Sequence, residues 1–149
     1  MSENDRWFMN AYLRILLPKA QSAAGVSLIE HTMAEGFAVP LHVHNDEEET
    51  FYLLDGKVRF RVGERTFEAG GGESLHVPAG TVHGFRVISP TARFLSISNG
   101  RFEDMVREAS VEAGAAALPP AAPFTEADQQ KLAAICNRNG IEFVGPPID

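Results

Sequence analysis

Three imidazoles and one carboxylate stand out in this chain by their spacing. His42 and His44 flank Val43, and on an extended strand side chains two apart point to the same face. The pair therefore aims at one point while Val43 turns away. Glu49 follows where the next strand begins, with Phe51 and Leu53 on its face, so its carboxylate is expected to reach the same point across a hairpin. His83 comes after the turn Pro78-Ala79-Gly80, with Phe85 on its face. Imidazole nitrogen and carboxylate oxygen are donors for a borderline divalent metal. Singly, each piece is ordinary: a His-x-His pair arises by accident, Asp46–Glu49 reads as a solvated loop, and His83 reads as a turn or core histidine. Together, each beside a Gly or Pro turn, they predict one divalent transition metal ion on His42, His44, Glu49 and His83. Fe, Mn, Co, Ni, Cu and Zn all suit such a donor set.

Strands must position these groups, and the sequence supplies them. From about residue 12 to residue 98, short apolar runs are broken by Gly, Pro or Asp: Tyr12–Leu17, Val26–Met33, Thr50–Leu54, Lys57–Val62, Arg65–Glu68, Ser74–Val77, Val82–Ile88 and Arg93–Ser98. Lys57–Val62 alternates most clearly, with Val58, Phe60 and Val62 inward and three cations outward. Asp55-Gly56 reads as a two-residue hairpin turn, and Gly63-Glu64 as another. Many short strands with such turns predict an all-β antiparallel sandwich or barrel.

Beyond Ser98 the pattern changes. Phe102–Ala109 and Glu126–Asn139 read as helices, the second with Thr125 as N-cap, Asp128 in its first turn and Gly140 past its end. Ala113–Pro123, rich in Ala and Pro, reads as an irregular linker. The stripe Leu132, Ile135 and Cys136 should pack on the barrel, with Ile141 and Phe143 as a docking segment, so truncation after Pro123 should lower stability without removing metal. The chain of 149 residues is expected to be one domain, a barrel at about 12–98 with a helical extension at about 101–149.

A net charge of −7 without a basic run argues against nucleic acid as partner. One cysteine, Cys136, forms no internal disulfide and reads as a small buried hydrophobe. The polar start Met1–Arg6 carries neither a signal-like stretch nor a membrane span. A cytoplasmic protein is expected. The apolar run Tyr12–Leu17 would leave an exposed sheet edge, which points to a homodimer.

Gly36, His42, His44, Glu49 and Gly56, with Gly72, Pro78, Gly80 and His83, resemble the two motifs of the cupin superfamily. Val87 stands where the second motif has Asn, a position that is not a ligand. The first motif tolerates Glu48 in place of Glu49, but Glu49 has the fitting distance to Gly56 and shares its face with Phe51. Glu47 and Glu48 are then expected at the rim, where they deepen the negative potential for a cation. His31 and His76 fall outside both motifs and read as barrel-wall or surface residues, His31 with access to the cavity through the face it shares with Ile29 and Met33.

Trp7-Phe8, Leu28–Thr32, His83–Arg86, Ala92–Leu95 and Asn139–Pro147 resemble one-barrel cupins of the quercetin 2,3-dioxygenase-like kind. That resemblance implies a cupin jelly roll and a metal-dependent dioxygenase acting on an aromatic enol, flavonol-like or polyphenol substrate. The substrate would bind the metal as its anion, with Glu49 as both ligand and base. The same site also suits a polyketide cyclase or isomerase, and a non-catalytic small-molecule-binding module is the remaining reading.

Overall fold

The structure, a computed structural model, describes residues 1–149. The chain runs through β1 (Asp5–Phe8), β2 (Ala11–Leu17), β3 (Ser27–Ala34), β4 (Leu41–His44), β5 (Glu49–Asp55), β6 (Lys57–Val62), β7 (Arg65–Gly70), β8 (Ser74–Val77), β9 (His83–Val87) and β10 (Thr91–Ser98). Helix α1 (Phe102–Ala109), strand β11 (Val111–Glu112), helix α2 (Glu126–Arg138) and strand β12 (Ile141–Gly145) complete it. Two antiparallel sheets result, a seven-stranded one ordered β11-β1-β2-β3-β10-β5-β8 and a five-stranded one ordered β12-β4-β9-β6-β7. This is the jelly roll that the motifs implied.

Period-2 alternation forms the interior. On β3, Ser27, Ile29, His31 and Met33 are buried, and on β5 Glu49, Phe51 and Leu53 are. The aromatic residues meet edge to face, which suits their quadrupoles: Phe85 and Phe94 lie 5.4 Å apart at 84°, and Phe51 and Phe94 lie 5.5 Å apart at 69°. Thr125 caps α2 in a capping box with Asp128, as its sequence indicated.

Three expectations are corrected. Asp55-Gly56 does not close a hairpin, because β5 lies in the seven-stranded sheet and β6 in the five-stranded one. The turn instead carries the chain from one sheet to the other. Gly56 has φ +80°, and a Cβ there would lie 2.2 Å from the Thr91 carbonyl oxygen. Backbone approach, not strand pairing, is what demands this glycine. The hairpin is at Gly63-Glu64, where Val62 pairs with Arg65.

The second correction is to β2, which is no edge, since β1 and β3 pair on either side of it. The edge argument for a homodimer therefore falls. Third, residues beyond α2 do more than dock. Strand β12 pairs with β4, setting Ile141 opposite His44 and Phe143 opposite His42. Ala113–Pro123 is irregular, as read.

Truncation after Pro123 removes the buried Leu132, Ile135, Cys136 and Ile141 and strips β4 of a partner. Burial of a large apolar side chain contributes about 1.5–3 kcal/mol, and whole domains are stable by only about 5–15 kcal/mol. The truncated chain is expected to lose its cooperative thermal transition, or to melt lower by on the order of 10 °C or more. An unchanged transition by calorimetry would show that the barrel stands without its C-terminal segment.

Candidate metal centre

His42 and His44 lie on β4 and His83 on the neighbouring β9, with His42 directly opposite His83 in the register. The three rings sit 4.3–5.2 Å apart between centroids, and one nitrogen from each falls within 4.8 Å of the others. Glu49 comes from the opposite sheet. Its Oε1 reaches to 3.4 Å from His83 Nε2 and 4.0 Å from His44 Nε2. The carboxylate thus arrives across the barrel, not across a hairpin.

Local contacts orient the rings. His42 Nδ1 donates to the Pro40 carbonyl at 2.7 Å and His83 Nδ1 to the Thr81 carbonyl at 3.0 Å. A carbonyl only accepts, so each ring carries its proton on Nδ1 and offers the Nε2 lone pair inward. Behind His44, Glu47 Oε1 stands 3.3 Å from Nδ1. Neither of those two atoms is hydrogen-bonded, so Glu47 backs this ring by charge, whereas the two carbonyls are the outer support that metal-ligating histidines use.

Buried polar atoms rarely lack a partner, yet His44 Nε2 and His83 Nε2 have no hydrogen bond. Two orphaned lone pairs facing a buried carboxylate fit a cation. Electrostatics agree. Burial opposes the charge on Glu49, but the facing imidazoles of His44, His83 and His42 outweigh it and hold the carboxyl at about 2. Burial also opposes protonation of His44, yet Glu49 and Glu47 raise its pKa above the ordinary value. His42, half-buried, is pushed down to about 3 by desolvation and by its two neighbouring rings.

The remaining acidic and histidine side chains sort clearly. Glu48 is exposed, with Oε2 3.7 Å from His76 Nε2, and His76 is a surface residue bonded to Thr50 Oγ1. Glu47 is not at the rim: it is 5% exposed, and its Oε2 accepts from the backbone N–H of Arg101 and of Phe102 at the start of α1. A Cβ at Gly100 would lie 2.3 Å from that oxygen. One side chain therefore backs His44 and anchors the helix that closes the barrel end. Nothing in the local pattern marked it, since its hydrogen-bond partners Arg101 and Phe102 lie more than fifty residues away.

His31 is inside the barrel. Its Nε2 bonds to Ser96 Oγ at 2.8 Å, Nδ1 has no partner, and its ring stacks on Phe94 at 4.6 Å.

The centre opens into a cavity of about 60 Å³ lined by His31, Met33, Phe37, Phe51, Phe85 and Phe102, among others. Phe51 and Phe85 are thus wall, whereas Phe60 and Phe94 fill the core. Leu132 and Cys136 of α2 and Ile141 and Phe143 of β12 also line it. Burial pushes the Cys136 thiol up to about 12, so this thiol stays neutral.

A family model described as a cupin domain matches residues 29–98. The polyketide cyclase RemF from Streptomyces resistomycificus is 30% identical, with a TM-score of 0.53 over 63% of this chain and 68% of that one. The chain belongs to the cupin superfamily. This cupin is also 27% identical over 95 residues to quercetin 2,3-dioxygenase of Bacillus subtilis (strain 168). The match covers 63% of this cupin but only 28% of that enzyme. KdgF from Halomonas sp. shares the fold, with a TM-score of 0.56 and 16% identity over 64% of this chain and 84% of that one. No helix of this cupin is long and apolar enough to cross a membrane.

His31 gives the metal-free protein an acid sensitivity. Burial lowers its pKa to about 4, only partly opposed by Glu49. As pH falls through the ordinary 6.5, the unfolded chain takes a proton that the folded chain refuses until about 4, so stability falls across that window. At 1.36 kcal/mol per pH unit the loss is roughly 3 kcal/mol. Denaturant titrations at pH 7 and pH 4.5 should show it together with a loss of the same sign from His42, whose pKa is held lower still, and His31→Gln, which does not titrate, should remove the share that His31 contributes. An equal fall in both proteins would assign the acid sensitivity elsewhere.

Proposed function

We propose that this cupin is a metal-dependent oxygenase. His42, His44, His83 and Glu49 would hold a single divalent ion, and the substrate would be an aromatic enol or phenol of flavonol-like type that binds as its anion. The observation that carries this reading is the convergence of two unpartnered Nε2 atoms, the His42 ring and a buried carboxylate on one apolar cavity. When bound, the ion supplies Lewis-acid stabilisation of the substrate oxyanion beside dioxygen and leaves positions open for it.

The chain's own residues do the rest. Glu49, ionised at neutral pH, accepts the proton that the substrate hydroxyl releases. The Pro40 and Thr81 carbonyls hold His42 and His83 in the tautomer that faces inward, and the Glu47 carboxylate stands behind His44. Phe51, Phe85 and Phe102 keep water out and offer flat faces to an aromatic ring. The similarity to a quercetin 2,3-dioxygenase supports the oxidative reading.

A second reading has its own support in the 30% identity to a polyketide cyclase. There the same centre would polarise a carbonyl without a redox step. Oxygen uptake on quercetin separates the two: consumption with turnover supports the oxygenase, and turnover without it supports the cyclase. Saturable binding without turnover would make the protein a binding module.

Each of His42→Ala, His44→Ala and His83→Ala is expected to lose most of its metal on dialysis, measured by elemental analysis, whereas His76→Ala keeps it. Full occupancy in two of the three site variants would overturn the assignment.

Glu49→Gln keeps the size of the side chain and a possible donor oxygen but loses the base. Three imidazoles suffice to retain a divalent ion, so metal content should stay substantial while turnover drops on the order of 100-fold. Both should be read on one preparation. Wild-type turnover in Glu49→Gln together with loss in Glu48→Gln would move the role to Glu48.

A further inference from the structure

We propose that the substrate site has a second compartment, an outer cleft between the end of α1, the linker at Ala122–Phe124 and α2. Met9 and Leu132 form the partition that joins it to the metal cavity. The inference rests on the functional reading above and adds the shape of the molecule that fits.

Size is the first argument. The inner cavity measures about 60 Å³, whereas pockets for drug-sized ligands span about 300–1,000 Å³. No polycyclic phenol fits the inner space alone. The outer cleft measures about 370 Å³, which is within that range. Met9 and Leu132 line both spaces, so moving two apolar side chains merges them.

Backbone geometry is the second. Met9 is the chain's one non-glycine residue with positive φ, at +55°. It sits in the two-residue turn between β1 and β2, where glycine would adopt that conformation without strain. The turn is held by Asn10, whose side-chain amide donates to the Ala122 carbonyl at 3.1 Å. A strained position that keeps an unbranched, adaptable thioether at the junction of two cavities is suited to a partition that yields to a ligand.

Charge defines the occupant. Phe124, Pro123 and Ile135 give the cleft an apolar wall. Of its three charged residues, Glu108 is paired with Arg138 and Asp128 caps α2. Lys131 alone makes no ion pair or side-chain hydrogen bond. The site therefore takes an elongated aromatic molecule. Its enol or phenol oxygen lies at the imidazoles and Glu49, its rings pass between Met9 and Leu132, and a distal hydroxyl or carboxylate oxygen faces Lys131.

The test is binding of catechol and of quercetin to the zinc-loaded protein under anaerobic conditions, by calorimetry and by fluorescence of Trp7. That indole donates to the Ala117 carbonyl of the linker and so reports movement there. Ala122→Trp, at an exposed position lining the cleft, is expected to weaken quercetin at least tenfold and leave catechol within twofold. Lys131→Met should weaken quercetin about fivefold, and Met9→Gly should speed its association. If wild type binds both compounds and the first two variants bind quercetin as wild type does, the compartment is wrong and the functional reading stands. Equal weakening of both compounds in Ala122→Trp would place its effect at the metal centre and overturn the compartment. If neither compound binds the zinc-loaded wild type, the functional reading falls and the compartment with it.

Discussion

The ionised carboxylate of Glu49 is buried in an apolar barrel without an arginine or lysine beside it, and the structure around it answers that cost. An unpaired charge in such surroundings is held only at great expense. Three imidazoles from the facing sheet supply the compensation, as a proton on His44 or as the donor set for a cation. Their convergence fixes how the two sheets must stand, because His42, His44 and His83 belong to one layer and Glu49 to the other. Gly56, where the chain crosses between layers with no room for a side chain, belongs to the same constraint.

The supports behind the centre reach further through the fold than the centre itself. Backbone carbonyls two residues away orient His42 and His83, so their geometry is local and robust. His44 depends on Glu47, and Glu47 also holds the start of α1, which brings Phe102 and Met105 over the cavity. β12 adds a second long-range tie by pairing along the strand that carries His42 and His44. The C-terminal third is therefore coupled to the site through a carboxylate and a strand.

That coupling bears on chemistry. Helices α1 and α2 and strand β12 line the barrel end with apolar side chains, and such low-dielectric surroundings strengthen every charge interaction within it. The same side chains keep that space narrow. Enclosure and access are then set by one group of apolar side chains.

The sequence alone determined what depends on near neighbours. Alternation along β3, β5 and β6 and the i, i+2 pairing of His42 with His44 follow from the strand period of 2.0, and the cap at Thr125 follows from a hydroxyl that accepts from the first turn's N–H groups, all of which local residues specify. The four candidate ligands were legible because turn glycines and prolines lock their spacing. Tertiary structure decided what depends on which strand lies beside which. Asp55-Gly56 has the chemistry of a hairpin turn, yet it joins two sheets because β5 pairs with β10 and β8 while β6 pairs with β9 and β7. Glu47 looks like one acidic loop residue among four, and Ile141 and Phe143 like a docking segment with no strand partner of their own. The partners that bury the first are supplied by the start of α1, and the strand that pairs the second is β4, both far away in sequence. No local pattern encodes a partner at that distance, because hydrogen-bonding and burial are satisfied by whichever segment folding brings there.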